Sequence, residues 1–490
     1  MSAEAAFNVG LKALKTGQEQ QTLPTLRAAV AASPGDARLW QVLGLLHRAL
    51  EQLGLATKAL ERAAALAPGD ARIAHGHARV VLEAGRPAVA LFERARRLAP
   101  EDGAVVLGLA AAQVAEGRPR AALECVSAQV RRQPGWLEGH SLLARLRWMF
   151  GDRTGFTAGF EEAIAVAPRA LPLWHALIVT LMQADRFDEA LATISRARAA
   201  AGPQLAFDVN EAICAAELGE TERADRLFAA LPPIDDLGVS LRRIRHLLRC
   251  GRPGEAAAMA ELLTGKPGAE QLWPYLSVAW RLLGDPRWQW LEGDPRLVGI
   301  YDLGDRLPPL DALATRLRAL HFASHQPLEQ SVRGGTQTDG PLFARAEPEI
   351  QMLRKVVVES VRAHVAQLPP PDPAHPLLAP PRDRRIRFSG SWSVRLEAQG
   401  HHANHVHPAG WFSSALYVAL PDEAERGPAP SGWIQLGTPQ AELGVDLPPT
   451  RLIEPKPGRL VLFPSTMWHG TMPFDGGERM TVAFDVAPPR

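Results

Sequence analysis

Residues 400–421 read GHHANHVHPAGWFSSALYVALP, and the two halves of this stretch carry different information. The second half, Trp411 to Leu420, is an aromatic and β-branched run closed by Pro421, which predicts a strand and its end. The first half holds His405 and His407, two residues apart. Side chains two apart on a strand share a face, so the pair would offer two imidazoles to one side of a sheet. A third imidazole from a neighbouring strand, with His469 as the candidate, would complete a triangular facial set of metal ligands. Three protein ligands on one side leave open positions on the metal, as catalysis requires and closed structural sites lack.

Outward from this stretch the strand pattern continues. Arg385 to Glu397, Gly432 to Leu436, Arg459 to Phe463 and Arg479 to Val486 are further apolar and β-branched runs between Pro and Gly breaks. Several short antiparallel strands in about a hundred residues predict a sandwich or jelly roll, whose open mouth can hold residues from different strands. Ahead of them, the proline-rich run of residues 368–381 predicts a stiff surface connection, since it suits neither a helix nor a central strand. Ile350, Leu353, Val356, Val357, Val361 and Val365 recur at helical steps and predict a helix over Glu347 to Gln367 with one face on a sheet. Gln330 to Thr338 (QSVRGGTQT) reads as a glycine-containing loop, and Pro309 to Leu320 as a short helix.

The first part of the chain follows a different rhythm. Prolines recur at Pro34, Pro68, Pro100, Pro134, Pro168, Pro203, Pro233 and Pro267, a spacing close to 34 residues. Out of phase with them run Gly85, Gly117, Gly151, Asp185, Gly219, Gly251 and Gly284. Two turns per period predict two antiparallel helices per repeat. Trp40, Leu43, Gly44 and His47 fall at helical spacing on the first helix of one unit, and Ala56, Leu60 and Ala63 on its second; Trp174, Leu177, Ala190 and Ala197 repeat the pattern. This alternation resembles the tetratricopeptide repeat, in about eight helix pairs over residues 1–283. The resemblance implies a superhelix whose groove holds a protein or peptide partner.

Composition sets limits. At 490 residues the chain exceeds one ordinary core. Lys and Arg number 54 against 53 Asp and Glu, with no basic block, which argues against nucleic acid as partner. Cys125, Cys214 and Cys250 are scattered and sit in helical sequence, as core thiols of a reducing compartment do. Neither a signal peptide nor a membrane-length apolar run is read, so a cytoplasmic protein with no membrane partner is expected.

The C-terminal text, namely residues 400–421 with PKPGRLVLFPSTMWHGTMPF (455–474) and ERMTVAFDV (478–486), resembles bacterial 2-oxoglutarate and Fe(II)-dependent oxygenases fused to tetratricopeptide repeats. The expected class is therefore α+β multidomain: an all-α repeat superhelix (1–283), a junction and helical support segment (284–384), and a double-stranded β-helix (385–490). The resemblance implies Fe(II) on His405, His407 and His469, and 2-oxoglutarate clamped through its far carboxylate by Arg479, whose planar fork suits a carboxylate. Thr481, two residues on, would add a hydrogen bond; Tyr417 and Ser414 would line the same pocket. The implied activity is a dioxygenase that hydroxylates a protein or peptide recruited by the repeats.

One departure stands out. The family places a carboxylate where this chain has His407, which leaves the site one charge more positive. His402 and a remote carboxylate compete as third ligand, and Asn404 is a further candidate for the site. An ion pair with Glu478 or Asp475 is the competing reading of Arg479. Lone histidines such as His47, His140, His246, His364 and His375 are read as surface or packing residues. Two other functions fit the same residues: a three-histidine cupin-type dioxygenase without 2-oxoglutarate, and an interaction scaffold with a non-catalytic metal-binding barrel. Against the cupin stands the absence of a glutamate after the H-x-H, where Pro408, Ala409, Gly410 and Trp411 follow.

Overall fold

The computed structural model describes residues 1–323 and 331–489. These fall into two compact units, one of residues 1–143 with 339–354 and one of residues 144–338 with 355–489. No helix among the described residues is long and apolar enough to cross a membrane.

In the first unit, helices pair in the predicted rhythm from Ala3–Thr16 to Pro119–Arg132. The turns after Pro34, Pro68 and Pro100 end in an acidic N-cap: Asp36, Asp70 and Asp102 accept from the backbone N–H two residues on, each at 2.9 Å. Such caps satisfy donors that the helix itself leaves open. The opposite turns take the left-handed conformation, with φ of 73° at Gly85 and Gly117. Helices Ala37–Ala49 and Leu53–Leu66 approach closely at Gly44, where a Cβ would lie 2.7 Å from Leu60 Cγ. Residues 339–354 belong to this unit through Ala346 N–H, which donates to Ala84 O at 3.1 Å, and through an Arg354–Glu51 ion pair.

A side-chain bond recurs in phase with the repeat. Six residues after the proline, Trp40 Nε1 donates to Pro34 O at 3.0 Å, and Trp174 Nε1 donates to Pro168 O at 2.8 Å. His140 Nε2 stands in the same place, 2.9 Å from Pro134 O. That position is therefore structural, and buried His140 belongs to the packing.

In the second unit the helix pairs continue to Trp273–Leu283, and the strands follow. These are β1 (Gly299–Asp302), β2 (Val332–Gln337), β3 (Phe388–His402), β4 (Phe412–Ala419), β5 (Ile434–Leu436), β6 (Arg451–Ile453), β7 (Arg459–Pro464), β8 (His469–Thr471) and β9 (Arg479–Val486). They build two antiparallel sheets, a six-stranded one in the order β1-β7-β4-β9-β3-β2 and a three-stranded one in the order β6-β5-β8. One apolar core joins Leu272, Leu276 and Trp280 of the last helices to Leu443 and Trp468 of the strand region. Trp468 Nε1 donates to Pro274 O at 3.0 Å, and its ring meets Tyr275 edge-on at 5.6 Å.

Three local expectations are corrected. Within QSVRGGTQT, Val332–Gln337 is strand β2, paired with β3 through a register shift between Arg333 and Gly335; Gln330 lies outside the described residues. A Cβ at Gly335 would sit 2.3 Å from Arg395 O, so the glycine serves a close strand approach and not a loop. The proline-rich run has neither helix nor strand, but it is not superficial. Leu368, His375, Leu377 and Leu378 are buried, and His375 Nδ1 accepts from the N–H groups of Leu377 and Leu378. The third correction concerns the H-x-H segment itself.

Candidate metal centre

His405 and His407 lie beyond the end of β3, outside any strand of the sheets. A single bridge holds them: His405 N–H donates to His469 O at 2.9 Å and His469 N–H to His405 O at 3.0 Å. His407 N–H donates to Ser465 O at 2.9 Å. The ladder stops there because Pro408 has no N–H and Gly410 turns back onto His407 O at 2.8 Å. Extended backbone survives over the two histidines, which keeps both rings on one side. One ligand atom from each of His405, His407 and His469 lies within 4.8 Å of the others.

Their protonation follows from their neighbours. His405 Nδ1 faces Ala403 O at 2.7 Å, and His469 Nδ1 faces Met467 O at 3.0 Å. A carbonyl only accepts, so both Nδ1 atoms carry the proton and both Nε2 atoms present lone pairs. His407 Nδ1 lies 3.0 Å from Asp485 Oδ2, so its Nδ1 edge also carries a proton. Burial, and then neighbouring positive charge, pushes the His405 imidazole down to about 3 and that of His469 well below its usual range. Both are thus neutral at ordinary pH. The neutral His405 and His469 imidazoles, with the His407 ring beside them, are a nitrogen donor set suited to Fe(II) and other borderline divalent ions.

The remaining candidates take other places. His402 stacks on His405 with centroids 5.7 Å apart, and its Nδ1 meets Ser331 Oγ at 3.0 Å; it lines the cavity but stands outside the cluster of close ligand atoms. Ser331 Oγ is also 3.2 Å from His405 Nε2. Asn404 is occupied in packing: its amide donates to Pro439 O at 3.1 Å and its oxygen accepts from Gln435 at 3.0 Å.

Arg479 is 3 % exposed, although its immediate neighbour Glu478 pairs with Arg318 and Arg395 at the surface. Alternation along β9 is the reason: Glu478 faces outward, while Arg479, Thr481, Ala483 and Asp485 line the cavity with the histidines. The Arg479 guanidinium lies 5.1 Å from the Tyr417 ring centroid, and its Nε has no hydrogen-bond partner among the described residues. No carboxylate pairs with it among those residues either, so the expected alternatives Glu478 and Asp475 are not its partners. Thr481 lies opposite Tyr417 in the β4–β9 register. Ser414 Oγ donates to Phe484 O and accepts from Phe484 N–H, both at 2.9 Å, which stitches β4 to β9.

Sequence reasoning missed Asp485, Ser413 and Trp392. The two-residue step from Arg479 through Thr481 and Ala483 was the signal for Asp485. Nothing local marked Ser413 or Trp392, which reach the site by strand pairing.

Comparison with known proteins gives a domain-level result. A PEX5-related protein of Mus musculus is 40% identical over 65 residues, 13% of this chain and 12% of that protein; its Homo sapiens counterpart is likewise 40% identical over 65 residues, 10% of its length. The chain thus spans about an eighth or less of these relatives. Among solved structures, MamA from Desulfovibrio magneticus RS-1 is 16% identical with a TM-score of 0.31, covering 34% of this chain and 97% of that one. A tetratricopeptide repeat protein from Parabacteroides merdae is 16% identical with a TM-score of 0.30, covering 49% and 96%. Residues 81–146 match the tetratricopeptide repeat family. Residues 390–485 match the family described as "Putative 2OG-Fe(II) oxygenase", so one chain carries both a tetratricopeptide repeat match and, further on, a match to that oxygenase family.

Proposed function

We propose that this protein is an Fe(II)- and 2-oxoglutarate-dependent dioxygenase that hydroxylates a protein or peptide substrate brought to it by the repeats. One observation carries the reading. Arg479 is a buried cation with no carboxylate partner among the described residues, and it lines the cavity that the three histidines share. A buried charge without a partner is costly. A ligand carboxylate beside it would remove that cost, and a dicarboxylic keto acid supplies one at the required end.

In this reading His405, His407 and His469 hold Fe(II) through their Nε2 atoms, with the tautomers fixed in advance by Ala403 O, Asp485 and Met467 O. Bound Fe(II) and 2-oxoglutarate would supply, with dioxygen, the oxidant for hydroxylating a substrate C–H, succinate and carbon dioxide being the coproducts. Arg479 anchors the far carboxylate with paired hydrogen bonds, the Tyr417 ring supports the guanidinium, and the Thr481 hydroxyl adds a donor. Ser414 lines the same cavity and keeps a lone pair beyond its two bonds to Phe484. Apolar walls from Ala415, Ile434 and Phe463 limit water around these groups. The two antiparallel sheets are read as the walls of a double-stranded β-helix, and the repeats as the surface that recruits a partner. Three unpaired cysteines fit a cytoplasmic setting.

The test is succinate release from 2-oxoglutarate with Fe(II), ascorbate and oxygen, for wild type and Arg479→Ala. Succinate is expected from wild type and a loss of at least tenfold from the variant. Folded, iron-loaded wild type that releases none removes the dioxygenase in favour of a non-catalytic barrel.

A further inference from the structure

His407 is held on three sides. Its ring stacks on Trp392 with centroids 5.7 Å apart and planes at 23°, and on His469 at 5.3 Å and 23°. Its Nδ1 edge meets Asp485 Oδ2 at 3.0 Å. Asp485 is itself 8 % exposed and fixed: Ser413 Oγ donates to its other oxygen at 2.6 Å, and the Ser413 and Ser465 hydroxyls lie 3.0 Å apart. The same Ser465 carries the carbonyl that accepts His407 N–H. Backbone and ring of His407 are thus tied to one small polar network of Ser413 in β4, Asp485 in β9 and Ser465 just after β7.

This network addresses the charge that the H-x-H leaves out. A histidine in place of a carboxylate ligand makes the metal site more positive by one unit. Asp485 does not join the cluster of mutually close ligand atoms, so it does not replace the ligand. It stands behind the ligand instead. A carboxylate hydrogen-bonded to the far nitrogen of a metal-bound imidazole fixes the tautomer, orients the ring and raises the basicity of the ligating nitrogen.

We infer that Asp485 is a positioning residue that acts through His407 and restores, behind the ligand, the negative charge that the site lacks among its ligands. The inference rests on the reading of His407 as a metal ligand. Ser413 then holds the carboxylate in place, and Trp392 keeps the imidazole plane aligned with the network. The metal sees a neutral nitrogen whose donor strength is set by an anion outside its own ligand sphere.

The experiment uses the full chain, with Co(II) as an oxygen-stable probe. Co(II) affinity is measured for wild type, Asp485→Asn and Asp485→Ala, and the imidazole ¹⁵N shifts of the metal-free proteins report the His407 tautomer. Asp485→Asn keeps the shape and an acceptor oxygen, so it guards against a folding defect. The expected result is a loss of Co(II) affinity of about 10–100-fold in Asp485→Ala, with a smaller loss in Asp485→Asn. The His407 Nδ1–H tautomer is expected to persist in wild type and to become mixed in Asp485→Ala. Wild type that binds Co(II) while both variants match it within twofold overturns the role of Asp485 alone. Wild type that binds no Co(II) overturns the metal reading and this inference with it, so the two failures are told apart.

Discussion

Replacing Arg479 by Met should raise the stability of the metal-free, ligand-free protein and at the same time remove most of the protection that 2-oxoglutarate gives. The first half follows from burial. Arg479 is 3 % exposed, burial disfavours its charged form, and the compensation comes from Tyr417. Guanidinium does not lose its proton in proteins, so the cost persists at every ordinary pH. Exchanging buried ionic groups for apolar ones of similar volume stabilises by up to about 1–4 kcal/mol, and an unpaired cation belongs at the favourable end. The second half follows from what the cation is for. Removing one partner of a buried charge pair costs about 2–5 kcal/mol, which weakens ligand binding about 30-fold or more. At a ligand concentration 100 times its wild-type Kd, stabilisation of about 2.7 kcal/mol should fall to about 0.9 kcal/mol or less in Arg479→Met. The assay is chemical unfolding with and without 2-oxoglutarate, in Co(II) and without oxygen, for both proteins. A variant that is less stable without ligand, or equally protected by it, would refute the reasoning.

Two further perturbations test the unit around the site. Glu292 is buried, with Ser277 Oγ donating to Oε2 at 2.8 Å, and Oε1 unpartnered among the described residues; burial pushes its carboxyl up to about 7. The folded state therefore holds a proton that the unfolded chain releases near the usual carboxyl value. Its stabilising effect is complete below about pH 4.5 and is lost as pH rises through 7, a change of about 3 kcal/mol. Glu292→Gln should flatten the wild-type fall in urea-unfolding stability between pH 5 and pH 8, and an unchanged slope would count against it. Trp468→Ala should cost about 3–5 kcal/mol, since a fully buried ring and its bond to Pro274 O are lost together. The last helices and the strands should then unfold together at lower denaturant; a drop confined to one of them contradicts a shared core.

Much of the architecture was legible because it is periodic. The prolines near 34-residue spacing do mark turns between helices, acidic-capped after Pro34, Pro68 and Pro100, and the out-of-phase glycines do adopt left-handed φ, with Asp185 following at 57°. The strands at Trp411, Arg459 and Arg479 stand close to where alternation and breaks put them. Strand β2 was not legible, because Gly334 and Gly335 suggest a loop while their smallness serves a close strand pairing. The proline-rich run likewise hid buried side chains such as Leu368, His375, Leu377 and Leu378, since its composition excludes regular structure and says nothing about burial.

What the sequence determined by itself is the order of chemistry along the chain: a helical repeat, then a strand-rich region with H-x-H, a distal His and an Arg in series. Local periodicity and side-chain type are enough for that, because helices and strands are set by near neighbours. Tertiary structure alone decided which groups meet. It closed His405 and His469 through a single backbone bridge, set His402 outside the cluster, and turned Arg479 inward while Glu478 paired outside. It also placed Asp485 of β9 behind His407, 78 residues earlier in the chain. The tautomers of His405 and His469 are set two residues away, by Ala403 O and Met467 O, but which groups share the cavity depends on long-range neighbours that no local pattern encodes.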